Sequence, residues 1–136
     1  MTPEKKHVNS RAKGAAGELE VAKLIRTFGF DAKRSQQHSG AAGDEDVFHS
    51  IPGVYLEVKF YKDCKLFAGT QLAEWKQQMV RDSSGFPVDT LRVIVHRWNG
   101  QTEWYALCFG QPNGIFSEDI ILKFRSLLAL IKRGVL

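Results

Sequence analysis

Cysteine is nearly absent from this 136-residue chain: Cys64 and Cys108 are the only two, and they stand far apart. Their isolation excludes a disulfide framework and a thiolate zinc site, and a reduced, cytoplasmic setting is the simplest reading. No apolar run is long enough to span a bilayer, and no secretory leader opens the chain, so neither a membrane span nor export is expected. Internal repeats and low-complexity tracts are missing too. With 43% hydrophobic and 25% charged residues, the composition is that of an ordinary globular protein, and the length suits one domain with a substantial core.

Charge is present in modest excess, +4 with a pI near 9.2. Its distribution says more than its size. Lys5, Lys6, Arg11 and Lys13 crowd the amino end, Lys33 and Arg34 follow the first helix, and Lys62 and Lys65 follow the run Glu57-Val58-Lys59. Basic groups around an acidic centre suit a polyanionic substrate with a metal at the point of chemistry. The bland alternative is a solvated tail and solvated loops.

Residues 1–9 are polar and basic without apolar period and read as a flexible N-terminal arm; residues 10–136 read as a single domain. The first helix is expected over 10–28, capped by Ser10, stopped by Gly29, with Val21, Leu24, Ile25 and Phe28 on its apolar stripe. That stripe, extended backwards, lands on Glu18, an odd place for an unpaired carboxylate. Strands follow at 30–34, 46–49 and 54–60, with a glycine-containing loop over 35–43 and a Pro52-Gly53 turn. A helix over 70–81 presents Leu72, Trp75 and Met79. A hairpin follows, with strands at 91–97 and 102–107 about Asn99-Gly100. Ser117 is expected to cap a last helix, with Glu118 and Asp119 in its first turn and Lys132 and Arg133 in its last. Its apolarity implies deep packing or a subunit interface. Trp75, Trp98 and Trp104 are read as core residues, and His38, His49 and His96 as structural or solvated. The order of elements implies an α/β fold, a mixed β-sheet flanked by helices, with a parallel crossover through the second helix.

Chemistry concentrates in two short segments. Alternation along Val54–Lys59 puts Glu57 and Lys59 on one side of the strand and Val54, Leu56 and Val58 on the other. Upstream lies Asp44-Glu45-Asp46. If the turn between the second and third strands is an even-length hairpin loop, Asp46 faces Glu57 or Lys59 across the ladder and shares their side. Each motif alone is weak. Together with Glu18 they bring carboxylates and one lysine to a single spot, which suits a hard cation, Mg²⁺ or Mn²⁺, rather than zinc. Such a site serves metal-dependent phosphodiester hydrolysis, with the ammonium steadying the attacking water or hydroxide.

The segments Lys13-Gly14-Ala15-Ala16-Gly17-Glu18, Gly29-Phe30, Arg34-Ser35, Ser39-Gly40, Asp46-Val47 and Leu56-Glu57-Val58-Lys59 resemble the archaeal-type Holliday junction resolvases of the PD-(D/E)XK nuclease superfamily, which has viral members. The close resemblance covers Lys13 to Lys59, about a third of the chain, and continues more loosely to Leu107. It implies a restriction-endonuclease-like fold. It also implies a Mg²⁺-dependent endonuclease that cuts branched DNA, a four-way junction, as a homodimer in the cytoplasm, or in the host cytoplasm for a viral member. By the same resemblance Asp46 and Glu57 are the main metal ligands, with the Val58 carbonyl, and Glu18 is a further acidic ligand. Lys59 positions or activates the water, Arg34 contacts phosphate near the cut, and Ser39 lies in a DNA-touching loop.

Three features depart from the family pattern. Leu19 stands where an arginine often follows the helix glutamate. Glu45 replaces the usual proline or apolar residue before the catalytic aspartate, which leaves Asp44 as the alternative to Asp46. Asp46 is preferred because it directly abuts the apolar strand. The loop before it is longer than in compact relatives. Two other readings stand beside the resolvase: a repair or restriction-like nuclease of the same core, and a binding module without catalysis.

Overall fold

The protein was analysed as a computed structural model that describes residues 3–35, 45–112 and 114–136, with side chains from residue 12 onward. The elements are α1 (Pro3–Thr27), β1 (Ala32–Arg34), β2 (Val47–His49), β3 (Val54–Tyr61), α2 (Gly69–Asp82), β4 (Leu91–Trp98), β5 (Tyr105–Cys108), β6 (Ile120–Lys123) and α3 (Phe124–Lys132). The architecture is mixed α/β: a four-stranded sheet ordered β3-β4-β5-β6 and a separate ribbon of β1 and β2.

Helical backbone begins at Pro3, upstream of the expected cap at Ser10, so most of the expected arm continues α1. A proline at a first helical position loses no hydrogen bond, because that N–H has no intrahelical partner. The helix stops at Gly29, whose φ of 89° is the left-handed conformation expected of a stop. Val21, Ala22 and Ile25 are fully buried in a core shared with residues of β3, β4 and α3. Gly17 sits where α1 meets the sheet. A Cβ there would come within 3.0 Å of the Phe60 Cβ and 3.1 Å of the Trp104 ring, so only glycine allows this approach without displacing them.

Alternation divides β3 as its sequence implies. Val54, Leu56 and Val58 join the core beneath α1 and α3, while Tyr55 joins a second core with Trp75, Met79, Ile94, Leu107 and Phe109 beneath α2. Strand β3 runs parallel to β4 from Val54↔Leu91 to Tyr61↔Trp98, so α2 is the expected crossover. The β4–β5 hairpin is also as expected, antiparallel, with Gly100 at φ 83° in its turn.

Two further expectations fail. Strand β2 pairs with β1, in the register Ala32↔His49 to Arg34↔Val47, and forms no ladder with β3. The turn after β2 buries Ile51 in the core, and the edge N–H groups of Leu56 and Val58 donate to side chains instead of a strand. The last helix does not start at Ser117. Ile120–Lys123 is an edge strand antiparallel to β5, and α3 begins at Phe124. Paired β-branched residues favour a strand, and the open edge of β5 needs hydrogen-bond partners. Asp119 accepts the Gly110 N–H at 2.9 Å and pairs with Lys76 rather than facing a helix N-terminus. Of the two roles open to the apolar last helix, deep packing holds: Phe124, Leu127 and Leu128 are fully buried in the chain's own core. Trp75 and Trp104 are core residues as well. Among the described residues no helix is long and apolar enough to cross a membrane.

Candidate active site

Strand β3 is an edge of the sheet, so alternate N–H groups along it point away from β4 and need acceptors. Two carboxylates supply them. Glu45 Oε2 accepts from Leu56 N at 2.6 Å, and Asp46 Oδ2 accepts from Val58 N at 2.8 Å. Asp46 does not face Glu57 or Lys59 across a backbone ladder, as an even-length hairpin would require; its side chain reaches the β3 edge instead. Glu45 also accepts from His49 Nε2 at 2.6 Å, while His49 Nδ1 accepts from Ile51 N at 3.1 Å. The backbone N–H fixes the tautomer, so His49 is a structural residue that orients Glu45. Asp44, the alternative ligand, lies outside the described residues.

Glu57 is 4% exposed, and no donor among the described residues reaches its Oε2. Burial, with the Asp46 and Asp82 carboxylates nearby, pushes its pKa up to about 8 against the opposing pull of Lys59. Asp46 is raised as well, again chiefly by burial, with Lys59 and its bond to Val58 N opposing. Buried carboxylates with raised pKa values gathered in one place make this edge the candidate functional site. Glu18 reaches Asp46 from α1; burial and the Asp46 charge raise it, while Arg34, whose Nε donates to Glu18 Oε1 at 2.8 Å, lowers it. The carboxylate found on the apolar stripe thus meets a cation, and Arg34 is held by Glu18. Asp46 is the common neighbour of Glu18 and Glu57.

Lys59 lies on the α2 side, donating to Gln78 Oε1 at 3.4 Å with its ammonium 5.8 Å from the Trp75 ring centre. Its backbone is fixed by His96. That fully buried imidazole donates from Nδ1 to the Lys59 carbonyl at 2.7 Å and accepts Lys65 N at Nε2 at 3.0 Å. A ring wedged between a carbonyl and an N–H must be neutral, and burial lowers its pKa accordingly. His96 is structural, as expected of a lone strand histidine.

The residues present suit a hard cation. The acidic donors are all oxygen, one buried oxygen has no partner, and the two histidines whose side chains are described, His49 and His96, are hydrogen-bonded at both ring nitrogens. Among the described residues no three acidic, histidine or cysteine groups converge into a ready-made ligand set. Asp46 Oδ2 is tied to Val58 N and Glu18 Oε1 to Arg34.

The basic residues lie on several elements. Lys13 stands over the Phe60 ring at 4.8 Å and donates to Asn99 Oδ1. Lys33 is exposed and crosses from Phe48 on β2; Lys62 is exposed after β3, and Lys65 is half-buried. The side chains of Lys5, Lys6 and Arg11, and all of Ser39 and His38, lie outside the described residues. One further acid neighbours Glu57: Asp82, in the last turn of α2, which reads in the sequence as a surface residue and whose only signal there is the helical row it shares with Gln78. Neither a scan against protein-family models nor a search of curated proteins matched this chain.

Proposed function

We propose that this protein is a metal-dependent DNA endonuclease that resolves four-way junctions as a homodimer. The observation that carries the reading is Glu57, buried with an unpartnered carboxylate oxygen between Asp46 and Lys59 at the free edge of β3. Stability alone gives no reason to keep such a group, because a buried polar atom without a hydrogen-bond partner costs about 1–3 kcal/mol.

In this reading Asp46 and Glu57 hold Mg²⁺, with Mn²⁺ able to substitute, Glu18 is a further acidic ligand, and the Val58 carbonyl completes the set. When bound, the cation neutralises phosphate charge and acidifies a water. The chain's own groups do the rest. Lys59, kept in place by His96 through its backbone, offsets charge that builds on the phosphoryl oxygens. Burial around Glu57 keeps bulk water from screening these interactions. Lys13, Lys33, Lys62 and Lys65 supply the charge that holds a polyanion across the β3 edge. Junctions, rather than DNA in general, are supported by the resemblance to the archaeal-type resolvases. Paired cuts in symmetry-related strands call for a twofold dimer. The free thiols suit a reduced compartment, the cytoplasm of a cell or of a virus's host.

The test offers a synthetic four-way junction, a flap and a linear duplex to the protein with and without Mg²⁺. Paired Mg²⁺-dependent nicks in the junction are expected, lost in Asp46→Asn and Glu57→Gln while junction binding persists. Equal cutting of all three substrates points instead to a nuclease of broader target. Tight junction binding without any cutting points to a binding module.

A further inference from the structure

We propose that Asp82, in the last turn of α2, contributes a carboxylate to the cation site. The inference rests on the nuclease reading above and adds a residue to it. Helix α2 is locked in rotation by buried Trp75 and Met79. Its end is clamped to β4: Ser83 Oγ donates to the Met79 carbonyl at 2.6 Å and accepts from Arg92 Nε at 2.7 Å, and Arg92 also reaches the Ser83 carbonyl at 3.3 Å. Residues four apart on a helix share a row, so Gln78 and Asp82 line up along α2. Opposite them on β3 stand Lys59 and Glu57. Gln78 meets Lys59, and the Asp82 carboxyl comes within hydrogen-bonding reach of Glu57.

This placement is costly for the fold. A carboxylate at a helix C-terminus faces the negative end of the helix dipole. It also faces the buried carboxyl of Glu57, whose Oε2 has no donor among the described residues. Asp46 stands at the same edge, its Oδ2 on Val58 N, and the clamp of Arg92 on Ser83 fixes Asp82 opposite. A hard divalent cation held by Asp82 and Glu57 would satisfy these oxygens, since oxygen donors of this kind are what Mg²⁺ and Mn²⁺ take.

The test titrates Mn²⁺ into metal-free wild type, Asp82→Asn and Glu57→Gln by calorimetry, with a thermal melt of each. Expected are weakening of Mn²⁺ binding on the order of tenfold or more in Asp82→Asn and its loss in Glu57→Gln. The melts show that the metal-free variants are folded, so that a lost affinity is not a lost structure. Asp82→Ser serves if the asparagine variant fails to fold. Wild-type Mn²⁺ affinity in the Asp82 variants, with binding still lost in Glu57→Gln, overturns the role of Asp82 and leaves the nuclease reading intact. No Mn²⁺ binding by the wild type overturns both.

Discussion

Glu57 sets the energetics of the site at the residue scale. Its ordinary carboxyl value is about 4.5, and burial with neighbouring acids raises it to about 8. A folded-state pKa above the unfolded value means the native protein binds the proton more tightly. Between the two values the folded chain holds a proton that the unfolded chain has released, so stability falls as pH rises across that window. The loss is on the order of a few kcal/mol for a shift of this size. Metal-free protein is therefore expected to unfold at lower denaturant as pH goes from about 4.5 to about 8. Glu57→Gln should flatten most of that slope. A wild-type stability that rises through this window would contradict the assignment. Cation binding should follow the opposite trend and tighten with rising pH, because the metal competes with the proton.

Among the elements, the approach of α1 to β3 brings Glu18 to Asp46. Gly17, next to Glu18, costs the helix roughly 1 kcal/mol relative to alanine, yet it is what lets the helix lie against Phe60 and Trp104. Gly17→Val should destabilise the protein by about 1–3 kcal/mol through overpacking, measured by urea unfolding. An unchanged midpoint would show that α1 does not pack this closely. The helices and the β4–β5 hairpin were legible in the sequence because their signals are local: the spacing of Val21 and Ile25, of Trp75 and Met79, and the Asn99-Gly100 turn. The segment from Ile120 was not. Its apolar residues satisfy a strand and a helix alike, and only the open edge of β5 decides between them. The partner of β2 was hidden for a related reason. Turn chemistry at Pro52-Gly53 says that the chain bends, not which strand edge it meets afterwards.

Across the whole molecule, the candidate site is a seam where α1, the start of β2, the edge of β3 and the end of α2 meet. Glu57 and Lys59 were readable as a pair from strand alternation, and Asp46 from its position before an apolar strand. Asp82 was not readable, because its contact with Glu57 depends on how α2 docks across the sheet. The carboxylates of Asp46 and Glu18 rest on the Val58 N–H and on Arg34, and in the proposed reading a cation would draw on them. The most direct test is the anomalous signal of manganese in crystals soaked in Mn²⁺. The account predicts a single strong peak at the β3 edge in contact with both Asp46 and Glu57. No peak there, in crystals of protein whose fold is intact, would contradict it.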